Sequence, residues 1–420
     1  MTGATFSQAA AGQAPSVTIS YTSPVTATAT TLASSANPSV AGQQVTYTAT
    51  VSPAPDGGTV AFTEGGATIG ACGAQQVDTS TGKATCQVTY NSAGSHSITA
   101  TYGGDDSVSG SSDTLTQTVN QAATTTAVTS TANPSTVGQA VTFTATVNVK
   151  SPGSGTPTGT VTFSAGGSPI GSPVALGAAG TAAITTSFMA GTHAITATYN
   201  GDSNFTGSSG SLTQTVSKIA TTTTLASSAN PSIIGAPVTY TATLSAASGT
   251  GTPTGTVAFA DGGTPISGCG SVTLSAGTAT CQVSYTAAGS HAITAAYSGD
   301  STYAASTPTA LTQQVAYKVQ PLYSQTSPSN SGSTVPVKIQ LLNAAGTNLS
   351  AAGIKVTVTG LSPSPAPGKA PAGTFTFLTL DQGPGYQLNI KTTGYPKGTY
   401  TLSFTAGGDP TVHTAKFVIS

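Results

Sequence analysis

Hydrophobic and polar residues alternate strictly along many short stretches of this chain. In Val45-Thr46-Tyr47-Thr48-Ala49-Thr50-Val51, the residues Val45, Tyr47, Ala49 and Val51 share one face and the three threonines share the other. The pattern returns as Val141, Phe143, Ala145 and Val147, and again as Val238, Tyr240, Ala242 and Leu244. A period of two sends successive side chains to opposite faces, so each stretch predicts a half-buried β-strand and excludes a helix. Downstream, Gly-Thr-Val-x-Phe (Val60 and Phe62, Val161 and Phe163, Val257 and Phe259) runs into Gly-Gly, which predicts a strand entering a tight turn. Another strand ends near Tyr90, Phe188 and Tyr285. A short Ala-Gly turn then leads into the alternating run from His96 to Tyr102, and a Gly-Asp turn passes the chain to Leu115-Thr116-Gln117-Thr118-Val119.

These signals recur. Asn37-Pro38-Ser39 returns as Asn133-Pro134-Ser135 and Asn230-Pro231-Ser232, and His96 returns as His193 and His291, giving a period of about 97 residues. That is far longer than a solenoid unit and matches an independent sandwich of about seven short strands. The last hundred residues keep the frame in altered form. Ser327-Pro328-Ser329 stands where Asn-Pro-Ser would, Val335, Val337, Ile339 and Leu341 alternate, and Tyr400, Leu402 and Phe404 match the parity of His96, Ile98 and Ala100. The expected fold is therefore all-β, a tandem array of four immunoglobulin-like Greek-key β-sandwiches. Its expected parts are an N-terminal tail at 1–27, repeats at 28–121, 122–218 and 219–316, and a diverged fourth sandwich at 317–420. The Pro-rich insert Ser362-Pro363-Ser364-Pro365-Ala366-Pro367 reads as a loop, because proline cannot donate to a central ladder.

Composition narrows the function classes. Charged residues make up 5% of the 420 residues, with ten lysines, no arginine, eleven acids and a net charge of −1. Such a chain has no electrostatic footprint for nucleic acid and no polybasic patch for anionic lipid. Thr, Ser and Gly interrupt every apolar run well before the roughly 18 to 20 residues of a membrane helix, so no membrane insertion is expected. The residues after Met1 lack the basic start and apolar core of a secretory signal, so export is expected to depend on something outside the visible sequence, or the start to be a fragment. At the other end, Ala415 to Ser420 reads as a final strand with no wall-sorting tail, which puts any anchorage upstream or makes it noncovalent.

The ordered set Asn-Pro-Ser-x-x-Gly, Val-Thr-Tyr-Thr-Ala-Thr, Gly-Thr-Val-x-Phe, Gly-Ser-His-x-Ile-Thr-Ala and Tyr-x-Gly-Asp resembles the group 3 bacterial Ig-like domains of secreted and surface proteins. The C-terminal segment resembles the PxKD family of bacterial extracellular domains through Val335-Pro336-Val337-Lys338, the run from Tyr386 to Thr392 and the run from Thr411 to Phe417, departing from it at Ile390 and Thr399. These resemblances imply a surface or secreted array and supply no catalytic residue.

Cysteine carries the most informative chemistry. Cys72 and Cys86 in repeat one, and Cys269 and Cys281 in repeat three, occupy equivalent positions, while repeat two has Pro173 and Ile184 there. Joint absence is what a covalent partnership predicts, with two free buried thiols or a metal site as the alternatives. The metal needs further ligands, and there is no Cys-x-x-Cys. Disulfides would place the chain in an oxidising compartment, extracellular or at a cell surface. His96, His193 and His291 occupy one position with inward parity and no acid or cysteine near them in sequence. With Tyr400 in the fourth sandwich, they read as structural corner residues like the corner tyrosine of immunoglobulin sandwiches. Asp105, Asp202 and Asp300 follow glycine in the last hairpin and read as turn residues, with a weak Ca²⁺ site as the alternative. Asn204-Phe205-Thr206 and Asn348-Leu349-Ser350 fit the glycosylation pattern, which matters only in a glycosylating host.

No constellation of nucleophile, base and metal emerges, so neither catalysis nor a cofactor is expected. The expected function is a non-catalytic extracellular stalk or adhesin segment: a monomeric rod of sandwiches joined by short Thr-rich linkers, serving a protein or glycan ligand that the sequence does not identify. The rival is an accessory spacer or carbohydrate-binding region of a large secreted hydrolase. That rival would need exposed aromatic platforms, for which Tyr303, Tyr323, Tyr386 and Tyr395 are the candidates least explained by strand alternation.

Overall fold

The structure, a computed structural model, describes residues 24–420 apart from 250, 366–370 and 372, together with Gly12. Most of the N-terminal tail and the Ala366-Pro367 end of the Pro-rich insert therefore lie outside the described residues. Every regular element among the described residues is a strand, and no helix is long and apolar enough to cross a membrane. The chain divides into two compact units, residues 1–216 and 217–420.

In the first unit, repeat one contains β1 (Ala29–Ser34), β2 (Ser39–Val40), β3 (Gln44–Ser52), β4 (Thr59–Glu64), β5 (Ala67–Thr68), β6 (Gln75–Gln76), β7 (Lys83–Thr89), β8 (Gly94–Tyr102) and β9 (Ser111–Asn120). Repeat two follows with β10 (Thr124–Ser130), β11 (Ser135–Thr136), β12 (Val141–Val149), β13 (Thr160–Ala165), β14 (Ser168–Pro169), β15 (Val174–Ala175), β16 (Thr181–Thr186), β17 (Gly191–Tyr199) and β18 (Ser208–Ser217). Each repeat is two facing sheets. In repeat one these are β1-β3-β7 and β2-β9-β8-β4-β5, with β6 paired to β4. The alternation seen in the sequence is the burial pattern itself: Val45, Tyr47, Ala49 and Val51 of β3 meet Val60, Phe62, Ile98, Ala100 and Tyr102 from the opposite sheet.

The expected seven strands become six long ones and three of two residues each. The cause is local chemistry. The Gly65-Gly66 pair, with φ of 54° and 89°, makes a two-residue hairpin from which β5 pairs for only two residues. The proline of Asn37-Pro38-Ser39 interrupts the first strand, and the asparagine side chain takes over. Asn37 Nδ2 donates to the Thr116 carbonyl at 2.8 Å and its Oδ1 accepts from the Thr118 amide at 3.0 Å, so a side-chain amide stands in for one rung of the ladder beside β9. Asn133 and Asn230 do the same. Beneath this bridge Gln117 is fully buried, accepting from Ser34 Oγ and donating to the Ala36 carbonyl and Ser39 Oγ.

The Thr-rich stretches are strands and not linkers. Thr124 and Thr126 of β10 are buried, and their hydroxyls bond the Thr206 carbonyl and Ser208, so the threonines close one sandwich instead of joining two. Only Gln121, Ala122 and Ala123 separate β9 from β10. The seam is bonded on both sides. Ala41 is buried against the core of repeat two, its carbonyl accepts from Ser154 N, and Ser154 Oγ donates to the Gly42 carbonyl at 2.7 Å. Across from it, Asn204 Oδ1 accepts from the Ala93 amide.

In the second unit, repeat three repeats this plan with β19 (Thr221–Ser227), β20 (Ser232–Ile233), β21 (Pro237–Ala246), β22 (Thr256–Asp261), β23 (Thr264–Pro265), β24 (Val272–Thr273), β25 (Thr278–Ser284), β26 (Gly289–Tyr297) and β27 (Leu311–Ala316). The fourth sandwich has β28 (Lys318–Pro321), β29 (Pro328–Ser329), β30 (Thr334–Leu342), β31 (Val356–Ser362), β32 (Thr376–Leu380), β33 (Gly383–Lys391), β34 (Gly398–Ala406) and β35 (His413–Ile419). It differs in one exchange. In the repeats the strand after β4, β13 or β22 pairs with its predecessor. In the fourth sandwich β32 crosses to the other sheet, giving β28-β30-β33-β32 and β29-β35-β34-β31. The seam between these two sandwiches resembles the one in the first unit: Ile234 is buried, its carbonyl accepts from Ala344 N, and the Tyr317 amide donates to buried Asp409.

Candidate functional site

Cys72 and Cys86 form a disulfide with a Cα–Cα distance of 5.7 Å, as do Cys269 and Cys281, and among the described residues no cysteine is free. Each bond ties the segment after the Gly-Gly hairpin to the middle of β7 or β25. In repeat two Ile184 takes the strand position opposite Phe143, as Cys86 lies opposite Tyr47, while Pro173 is exposed.

The difference between repeats extends beyond sulfur. In repeats one and three the cysteine strand faces a tyrosine whose hydroxyl meets a second one: Tyr47 with Tyr90 at 3.1 Å, and Tyr240 with Tyr285 at 2.8 Å. Burial, together with that neighbour, holds the Tyr47 and Tyr240 hydroxyls far above the ordinary phenol range. The outer tyrosine packs on a histidine ring, with centroids 4.1 Å apart for Tyr90 and His96 and 4.0 Å for Tyr285 and His291. Each histidine then meets an acid through Nδ1, His96 with Glu64 at 2.5 Å and His291 with Asp261 at 2.7 Å. Repeat two keeps the histidine, His193, but replaces the rest of the row: Phe143, Phe188 and Ala165 stand for the two tyrosines and the acid.

The histidine position thus divides in use. His193 Nε2 donates to the Met189 carbonyl four residues back, and Tyr400 Oη donates to the Pro396 carbonyl four residues back, which is the bond of a corner residue. His96 and His291 instead turn to carboxylates. Those partners sit on β4 and β22, about 30 residues upstream, where no sequence-neighbour search finds them; only strand register brings them across.

The three hairpin aspartates are saturated by donors. Asp300 Oδ1 accepts the Thr302 and Tyr303 amides and its Oδ2 accepts the amide and hydroxyl of Thr254. Asp202 binds Asn204, Phe205 and Thr158 in the same way, and Asp105 binds Ser107, Val108 and Tyr102 Oη. Burial pushes the Asp300 carboxyl up, but the four donors outweigh it and hold it well below its usual range; Asp202 and Asp105 move in the same direction. Among the described residues no three or more His, Cys, Asp or Glu side chains are grouped so that they could hold a metal ion.

Of the four tyrosines singled out as candidate platforms, Tyr303, Tyr386 and Tyr395 are buried. Tyr323 is half-buried, with its hydroxyl on the Lys416 carbonyl. Tyr386 points into the core from β33, and Tyr395 and Tyr323 pack into or against the same core from outside the strands. The two glycosylation-pattern asparagines are also engaged, Asn204 at the seam described above and Asn348 on the Pro384 carbonyl. Asp409, which sequence reasoning missed, is buried and holds His413 at 2.6 Å, the Tyr317 amide and Thr411; burial raises its carboxyl and these bonds together lower it further.

Two facing sheets repeated along the chain define an array of immunoglobulin-like sandwiches. Residues 31–120, 128–217 and 224–316 match the bacterial Ig-like domain (group 3) family, and since these stretches span more than half of its length, the chain belongs to that family. No curated protein matches the chain in sequence. Among solved structures, it is similar to the crystal structure of invasin, a bacterial integrin-binding protein, at 15% identity and a TM-score of 0.39, covering 93% of this chain and 79% of that one. It is also similar to the Escherichia coli adhesin FdeC (15% identity, 70% of this chain and 96% of that one, TM-score 0.23). A third similar structure is the N-terminal eight Ig domains of Down syndrome cell adhesion molecule (13% identity, TM-score 0.27); it matches 93% of this chain, which spans only 49% of that one.

Proposed function

We propose that the chain is a non-catalytic extracellular stalk or adhesin segment of bacterial type, which spaces or presents a binding module at the cell surface. In this reading the modules are 28–121, 122–218, 219–316 and a PxKD-like 317–420, and the partner is a protein or glycan met elsewhere along the assembly. The observation that carries it is the bonded seam between successive sandwiches: a three-residue connector, buried Ala41 and the Asn204 acceptor leave little free chain between repeat one and repeat two. Flexible spacers are Gly/Ser-rich coils, whereas here the connector is consumed by the fold. The two disulfides support an oxidising location outside the cytoplasm.

Small-angle scattering from the whole chain tests this. A spacer of four sandwiches in line, each with strands of about 20 to 25 Å plus turns, reaches somewhat over 100 Å. A maximum dimension well short of that would overturn the stalk reading, as would a hydrolytic activity of the isolated chain.

A further inference from the structure

The sandwich edges of the three repeats are defended unequally. Edge strands present unpaired amides and carbonyls, and proteins blunt them with charge, proline, brevity or a covering segment. In repeat one the β1 edge is closed from the other sheet, where the Leu32 amide donates to Asp113 Oδ2 and Thr28 Oγ1 donates to the Ser109 carbonyl; in repeats two and three Thr124 and Thr221 make the second of these bonds, to the Thr206 and Ala304 carbonyls. The β5, β14 and β23 edges are two residues long, and the last two contain Pro169 and Pro265. The remaining long edge is β7 in repeat one and its counterparts β16 and β25.

Register shows which groups that edge offers. The Val51 amide donates to the Gly82 carbonyl, so the residues in step with Gly82, namely Ala84, Cys86 and Val88, bond inward to β3, and Thr85 and Gln87 aim their backbone groups outward. The same bonds at Val147–Gly180 and Leu244–Gly277 leave Ala183 and Thr185 of β16, and Thr280 and Gln282 of β25, facing outward. Their side chains are exposed. No charged or proline residue occurs in β16 or β25, and in β7 the only charge is Lys83.

The fourth sandwich shows what fits there. The matching edge, that of β33, is filled by antiparallel β32, an uncharged strand of this same chain, Thr376-Phe377-Leu378-Thr379-Leu380. We propose that the open edges of β7, β16 and β25 are strand-addition sites whose occupant is the same edge of a second copy of this chain, joined antiparallel at one of the three edges across a two-fold axis through that strand's centre. The edge is self-complementary: Thr85 falls opposite Gln87 of the second copy, Ala183 opposite Thr185, and Thr280 opposite Gln282, with no like charges facing each other. A net charge of −1 removes the repulsion that otherwise keeps copies apart. This pairing does not depend on the stalk reading. It predicts weak association that matters where copies are crowded, and a monomer in dilute solution.

Sedimentation equilibrium of the whole chain over a wide concentration range tests the proposal, alongside amide exchange at low and high concentration. The wild type is expected to associate reversibly, with new protection at the amides of Thr85 and Gln87, of Ala183 and Thr185, or of Thr280 and Gln282. Combined Thr85→Lys, Ala183→Lys and Thr280→Lys substitutions place charge on solvent-facing edge positions and are expected to weaken association by about tenfold or more at an unchanged melting temperature. Proline at the same three positions removes an outward donor and should act alike. A wild-type chain that stays monomeric at its solubility limit overturns the proposal. So does association that survives both variants, or protection that appears on another face.

Discussion

Gln117 is polar, buried and bonded to three residues of the stretch from Ser34 to Ser39, and its counterparts Gln214 and Gln313 are equally buried. The sequence places it at inward parity between Leu115 and Val119, so its burial was legible; its partners, about 80 residues away in the chain, were not. Gln117→Ala would remove the bonds to Ser34, Ala36 and Ser39 at once, while the Ser34 hydroxyl keeps the Ala36 carbonyl at 3.0 Å, and is expected to destabilise repeat one by about 1 to 2 kcal/mol in urea unfolding. Asp300 gives a second prediction. Its folded carboxyl lies well below the unfolded value of 3.8, so its contribution to stability is complete above that value and disappears as pH falls through the folded one. The melting temperature of the wild type should therefore drop on acidification below about pH 4 more steeply than that of Asp300→Asn, which has no carboxylate to protonate. The turn role of this aspartate could be read from Gly-Asp, but its grip on Thr254 across the loop could not.

Among the elements, strands with a period of two were legible because Thr and aliphatic residues divide cleanly between water and core. The three two-residue strands were not, because their length is set by hairpin geometry and by a side-chain amide substituting for backbone. The cysteine pairs were visible as equivalent positions, and the aromatic-histidine-acid row behind them was hidden, since register and not spacing assembles it. The disulfides close loops with separations of 14 and 12 residues, for which the chain-entropy account gives about 3 kcal/mol each. Reduction should lower the thermal transitions of repeats one and three and leave that of repeat two in place, as resolved by calorimetry with and without a thiol.

Across the whole molecule, successive sandwiches should unfold as separate events when the chain is pulled from its ends. A closed disulfide withholds the residues of its loop, so repeats one and three are expected to release about 40 to 50 Å less contour length under oxidising conditions than after reduction. Repeat two should release the same length in both, and a single-molecule force record reads the difference directly.

Repeat two carries Ile184 where its neighbours are cross-linked, and a phenylalanine pair where theirs share a hydroxyl bond. Under tension it would serve as the fuse of the array, paying out its full length first and indifferent to thiols. A sudden shear would then be absorbed by the middle of the first three domains while the modules on either side hold their shape.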